Sequence, residues 1–205
     1  MRYPPGQKER TRERVLRSSA KLAKKKGFAA ASVDELMAAA SMTGGAFYAH
    51  FDSKDALFAD LITRELARTA AMLSPREGDT REEWLAHLFG AYLTPEHVRA
   101  AGSGCVIPSL GPEIARADPL VRRAFEKAMN ALQQGWAERL GDSDAAWSMI
   151  CQLVGAIVVA RAMGSKAGAG KVVDANRTHI ARVANEDSPH SRTRKPRRPS
   201  TKGAN

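Results

Sequence analysis

Residues 28–58 read FAAASVDELMAAASMTGGAFYAHFDSKDALF, and the fold is decided there. Ser32 is placed as an N-cap, and Glu35, three residues on, completes a capping box. Val33, Leu36, Met37 and Ala40 recur at helical spacing and give this first helix one apolar face. Ser41-Met42-Thr43 interrupts the run, with Met42 set to plug the corner. A very short second helix is expected from about Thr43 to His50. Its N-terminal half, Thr43-Gly44-Gly45-Ala46, is small, and its C-terminal half, Phe47-Tyr48-Ala49-His50-Phe51, is aromatic. Small residues let a helix end approach base edges, and the aromatic end anchors it, as a DNA recognition helix requires.

Working outward, a helix from about Gln7 to Lys26 precedes this stretch. Val15, Leu16, Ala20 and Ala23 form its apolar stripe, and Gly27 is a natural C′ residue. Ser53 opens a helix that runs past Leu66. Thr80 and Glu83 form another capping box, for a helix to about Leu93. Pro95 and the Ala-Gly-Ser-Gly stretch at 101–104 read as loop. The segment from Cys105 to about Arg116 is interrupted by Pro108 and Pro112. Asp118-Pro119 caps and opens a long helix to Leu140, closed by Gly141. Asp142 caps the next helix, which ends at Gly164. A glycine-rich connection from Gly164 to Gly170 leads to a last helix, about Lys171 to Ala184. No strand signal and no internal repeat is evident, so the class is all-α.

Charge is unevenly placed along the 205 residues. Residues 1–54 hold 11 Lys/Arg against 5 Asp/Glu, residues 55–184 hold 15 of each, and residues 185–205 hold 6 against 2. The net +10 therefore sits in the head and in a C-terminal tail. A neutral middle argues against a general polycation and for a head that neutralises phosphates. The tail, rich in Pro and Arg, is expected to be disordered, and its charge could add nonspecific affinity by counterion release. Two cysteines, Cys105 and Cys151, give neither a disulfide framework nor a zinc site. No metal and no cofactor is expected. The N-terminus MRYPPGQKERTRER has no apolar leader. The apolar stretch Ala145 to Met163 carries Ser148, Gln152 and Arg161, which fits a buried helix better than a membrane span.

The head resembles the DNA-binding domain of the TetR family of bacterial regulators. The resemblance rests on Gly27-Phe28, on Ser32, on Gly45 with Phe47-Tyr48-Ala49-His50-Phe51, and on Ser53-Lys54-Asp55-Ala56-Leu57. Family members often carry a basic residue where this chain has Gly44. The later sequence resembles one subgroup of that family, through Gly104-Cys105, Pro112 to Ala117, and Asp118-Pro119. The resemblance implies a helix-turn-helix domain at 1–52, a helical ligand-binding and dimerisation domain at 53–184, and the basic tail at 185–205. It further implies a cytoplasmic bacterial repressor that is not an enzyme. Its partners would be a second copy, a near-palindromic DNA operator and an unidentified small-molecule inducer, with no membrane.

Residue roles follow from chemistry together with that resemblance. Thr43, Gly44 and Ala46 are the candidate base contacts. Ser32, Tyr48, His50 and Lys54 are the candidate phosphate contacts. Lys54 opens a helix, where the dipole disfavours a cation unless an anion is near. Trp84, His87, Tyr92 and Trp136 are candidate pocket residues in the neutral body. Val154, Gly155, Ile157 and Val158 are candidates for a dimer seam. Cys105, beside a glycine loop, has two readings: a redox or electrophile sensor if its thiol is accessible, or a small buried apolar residue, the commoner case. Cys151 is expected to be buried and structural. Two other readings compete: a nonspecific architectural nucleic-acid protein built on the two basic ends, and a hydrolase pairing Cys105 with His87 or His97. The hydrolase lacks an acid partner or oxyanion motif at recognisable spacing.

Overall fold

A computed structural model of the chain describes residues 6–186. All regular structure among them is helical. The elements are α1 (Gln7–Lys26), α2 (Val33–Ala38), a 3-10 helix (Gly44–Ala49), α3 (Lys54–Leu73), α4 (Arg81–Ala91), α5 (Pro95–Arg99), α6 (Ile107–Ala115), α7 (Pro119–Leu140), α8 (Ser143–Ala162) and α9 (Lys166–Glu186).

The caps explain most of these boundaries. Ser32 and Thr80 each form the expected capping box, with Glu35 and Glu83. Ser53 accepts from the Ala56 N–H, Asp118 from Leu120, and Asp142 from Asp144 and Ala145. Gly27, at φ 92°, and Gly141, at φ 72°, end α1 and α7 in conformations that suit glycine.

Three expectations change. The region around Pro95 is α5, because Pro95 occupies a first-turn position and Thr94 caps it by accepting from the His97 N–H. The segment after Cys105 is a continuous α6 with Pro112 inside it. In so short a helix Pro112 removes one donor, and α6 is held from outside by packing on α1, α7 and α8. The last helix starts at Lys166, not Lys171, because Ser165 accepts from the Gly168 N–H and so caps it. Tertiary packing of α9 on α8 overrides the poor propensity of Gly168 and Gly170. The tail expected at 185–205 lies outside the described residues beyond Glu186.

In the head, α1 packs on α2 and α3, and the 3-10 helix packs on α2. Val15, Leu16, Ala20, Leu36, Met37, Phe47, Phe51, Leu57 and Leu61 are buried together there. Phe28 stacks on Phe58 with ring centroids 4.0 Å apart. The long helix α3 then continues into the body, where its most extensive partner is α7. The expected boundary at 52/53 thus falls just before a helix that packs against both regions.

α8 is long and apolar enough to cross a bilayer by length and composition, yet it packs against both α7 and α9. Its outward side remains apolar, with Val158 45% and Val159 50% exposed. Gly155 is half-buried, and a Cβ there would meet nothing within 4 Å. Ile157 is a correction to the expected seam. It is fully buried within its own protomer, because it falls on the same helical face as Ile150, Leu153 and Ala160.

Candidate nucleic-acid interface

The 3-10 helix stands on the head as a small platform. Its aromatic end is fixed by Phe47, which is buried, tilted against Phe51 at 5.6 Å and met edge-on by Tyr48 at 5.2 Å. Tyr48 itself is 75% exposed, the attitude of a side chain held outward for a partner. Thr43 occupies the N-cap position, yet its side chain makes no capping bond. Ala46 is half-buried beside it. The N-terminal end of the platform is thus small and solvent-facing, as expected.

Gly44 has a local reason to be glycine. A Cβ there would overlap the Asp34 carboxylate of α2, with Cγ at 3.0 Å. No sequence pattern announces this contact, since Asp34 reads as an ordinary first-turn acid.

The candidate phosphate contacts surround the platform. The Ser32 hydroxyl accepts from the Glu35 N–H, so it is an N-cap in the free protein. Lys26 donates to Glu35 at 2.6 Å, and this bond with the Ser32 N–H holds the Glu35 carboxyl at a pKa of about 2. Lys54 Nζ reaches the Ala29 carbonyl at 3.2 Å and lies 5.1 Å from the Phe28 ring centroid, so it is held near the head surface. His50 is half-buried, and its Nδ1 has no hydrogen-bond partner. Burial, with Lys8 and Arg12 nearby, lowers its pKa. A phosphate beside it would reverse that electrostatic penalty.

The head is tied to the body by polar contacts that sequence reading did not single out. Lys24 Nζ donates to Glu65 Oε2 at 2.6 Å and to the Gly104 carbonyl at 2.8 Å. Arg64 and Arg68 also donate to Glu65, and Arg68 reaches the Ser103 carbonyl at 3.1 Å. Burial opposes ionisation of Glu65, but Lys24 and then Arg68 hold the carboxyl below its ordinary value. Glu113 of α6 accepts from the Ala29 N–H. A signal for Lys24 did exist: it lies one turn beyond Ala20 on the apolar stripe of α1, where a cation needs a buried acid.

Immediately after Gly104, the Cys105 N–H donates to His97 Nε2 at 3.1 Å, and His97 Nδ1 meets the Tyr92 carbonyl at 2.7 Å. His97 is thus a tautomer with its proton on Nδ1. Arg161 donates to the carbonyls of His97 and Val98 and to the Ser109 hydroxyl. Its guanidinium ties α5, α6 and α8 together. The hydrolase pairing therefore has a different geometry, since His97 Nε2 is taken by a backbone N–H.

Of the two readings of Cys105 the structure keeps the buried one, whereas Cys151, expected to be buried, is a correction. Cys105 is 2% exposed and Cys151 is exposed. The glycine loop is itself packed: a Cβ at Gly104 would overlap His97, and one at Gly102 would press on Lys25. α8 meanwhile turns Cys151 away from the core. Of the four pocket candidates, Tyr92 and Trp136 share one void with Cys105 and Thr69. Trp84 backs Trp136 edge-on at 5.5 Å and donates to the Leu73 carbonyl. His87 lies elsewhere, with Nε2 2.9 Å from the Met72 carbonyl.

Residues 15–61 match the family model described as bacterial regulatory proteins, tetR family. The HTH-type transcriptional repressor NemR of Escherichia coli K12 is 29% identical over 121 residues, 57% of this chain and 60% of that protein. The match thus spans less than two thirds of that relative. The uncharacterized HTH-type transcriptional regulator YerO of Bacillus subtilis is 46% identical over 46 residues, 22% of this chain and 16% of that one. In structure, the reduced form of E. coli NemR superposes with a TM-score of 0.70 at 22% identity, over 84% of this chain and 96% of that one. A TetR regulator from Legionella pneumophila gives 0.69 at 20% identity, over 83% and 95%. Likeness at such identity concerns the fold.

Proposed function

Because the chain belongs to the TetR family of bacterial regulatory proteins, we propose that it is a homodimeric, sequence-specific transcriptional repressor of the bacterial cytoplasm. The observation that carries this reading is the platform of the head. Tyr48 is exposed on one 3-10 helix and Thr43 is exposed at its N-cap, Ala46 is half-buried between them, and the root of the helix, Phe47, is locked in the core. Thr43, Gly44 and Ala46 approach base edges, with Gly44 contributing only backbone. Ser32, Tyr48, His50 and Lys54 hold phosphates. Two heads meet successive major grooves about 34–36 Å apart or a multiple of that, on a near-palindromic operator. The second copy packs along the outer side of α8 through Val154, Gly155 and Val158.

The division into a reading head (1–52) and a sensing body (53–184) is part of this proposal. A small molecule in the body, or modification of Cys105, releases the operator by moving α6 and the 103–105 loop. Both touch the head, through Glu113 and Ala29 and through Lys24 and Gly104. An inducer gains leverage only through a difference in affinity between the two head settings.

Fluorescence anisotropy on DNA flanking the chain's own gene, against scrambled DNA of equal length at physiological salt, tests the reading. A preference of roughly a thousandfold or more is expected. Equal binding to both would sink the repressor reading in favour of the architectural one, provided several flanking segments behave alike.

A further inference from the structure

The platform of the head carries few side-chain groups able to read sequence. Of the three candidate base contacts, Gly44 and Ala46 have no polar side-chain atom, and Thr43 offers one hydroxyl, free of any capping bond. A hydroxyl both donates and accepts, so it meets almost any base edge. Base pairs are told apart in the major groove by fixed patterns of donors and acceptors, which a reading side chain has to match. Ser32, Tyr48, His50 and Lys54 do not fill the need, because a phosphate contact carries no sequence information. A sequence-specific reader built on this platform therefore needs a further polar group at its N-terminal end.

The neighbouring helix supplies one. The Asp34 carboxylate of α2 lies flush against Gly44, where a Cβ would overlap its Oδ1. Packing of the 3-10 helix on α2 fixes that juxtaposition, and the missing side chain at 44 leaves the acid uncovered. Asp34 is exposed. Its neighbour Glu35 is fully engaged, accepting from Lys26 at 2.6 Å and from the Ser32 N–H at 2.8 Å. The Asp34 side chain, by contrast, has no hydrogen bond or ion pair among the described residues. The α2 dipole favours an acid in this turn, but Glu35 already supplies one and closes the capping box. On a surface that meets phosphates, an unpaired carboxylate repels the duplex unless a donor on a base receives it.

We propose that Asp34 is a specificity-determining residue, which reads one C·G pair in each half-site by accepting from the cytosine N4 amino group in the major groove. The assignment rests on the repressor reading of the head. An ionised carboxylate only accepts, so it matches the one base whose major-groove edge offers a donor and no acceptor. Guanine N7 and O6 and thymine O4 are acceptors and repel it. Adenine sets its N6 donor beside the N7 acceptor, a pattern matched by an amide rather than by a carboxylate. Asp34 thus adds to the platform the discrimination that Thr43 alone lacks, and Gly44 lets the acid stand level with the backbone that approaches the bases.

The test selects binding sites for the full chain from duplexes randomised over a stretch long enough for two half-sites. Competition anisotropy then follows on the winning site and on its symmetric single-pair replacements. In wild type, one pair in each half-site should be fixed as C·G, and its inversion or its replacement by T·A should cost about tenfold in affinity. In Asp34→Ala the same replacements should cost about twofold or less, with the penalties at all other pairs unchanged. In Asp34→Asn the favoured pair at that position should become A·T, because an amide both donates and accepts. Thermal melts show whether each variant folds, and Asp34→Asn, equal in shape to wild type, decides alone if Asp34→Ala does not. Penalties in the variants that match wild type at every pair overturn the assignment, even where overall affinity rises or falls, and leave the repressor reading standing. A relaxed pair that is not C·G overturns it equally. A library from which wild type enriches no sequence overturns the repressor reading and the assignment with it.

Discussion

The carboxylate of Glu113 accepts a 2.8 Å hydrogen bond from the backbone N–H of Ala29. This bond joins α6, which begins just after the Cys105 loop, to the turn between α1 and α2. Anything that tilts α6 pulls on the entry to α2, against which the 3-10 helix packs. Glu113→Ala should therefore change operator affinity severalfold while costing only about 1 kcal/mol of stability. Anisotropy and urea unfolding on the same samples check both halves. An unchanged operator affinity would remove α6 from the coupling route.

Lys24 and Glu65 make the second link, and it is buried. Lys24→Met leaves Glu65 without its closest partner, and the chain should lose about 3 kcal/mol of unfolding free energy. The double variant Lys24→Met/Glu65→Leu should lose less than the single variants summed, which a double-mutant cycle would read as coupling.

Gly104 sits against the His97 imidazole with no room for a methyl group. Gly104→Ala should displace the ring, break its bond to the Cys105 N–H and cost about 2 kcal/mol. Thiol labelling of Cys105 should accelerate in the same variant. Labelling no faster than in wild type would show that the ring does not guard the thiol. In the wild-type chain at low concentration, a disulfide reagent should modify Cys151 on the order of a hundredfold faster than Cys105.

His97 also gives a pH signature. Burial, then Arg161, Lys24 and Arg68, hold its pKa below the ordinary 6.5, although its bond to the Tyr92 carbonyl pulls the other way. The native state thus resists the proton that the unfolded state accepts. The stabilisation is complete above about pH 6.5 and is lost as pH falls through the lower folded value. Between pH 7.5 and 5.5, wild type should lose more stability than His97→Gln. Equal losses would mean that His97 titrates normally.

If Tyr48 holds a phosphate as proposed, Tyr48→Ala should weaken binding to every duplex by about tenfold, because a phosphate contact carries no sequence information. Thr43→Val should chiefly change which base pairs are preferred. Competition anisotropy over a panel of operator variants separates the two outcomes.

The head was legible in the sequence because its rules are local. Ser32 with Glu35, and Ser53 with Ala56, cap helices by contacts within four residues, and the structure keeps them. The link from Lys24 to Gly104 spans eighty positions, and no periodicity announces it. The choice between a buried and an accessible Cys105 stayed open for a related reason. Glycines beside it suggested an open loop, yet Gly102 and Gly104 are small because Lys25 and His97 press against them. Ile157 was misplaced by composition, since an apolar helix offers every face as a seam until its neighbours are known.

Gly44 and Asp34 constrain one another's substitution. The space a side chain would need at 44 is filled by the Asp34 carboxylate. A new side chain there arrives together with a displaced acid, and a basic one would acquire that acid as its neighbour. A change at either position therefore alters the space or the charge that the other meets. Transplanting a relative's operator preference onto this chain means moving residues 34 and 44 as a pair.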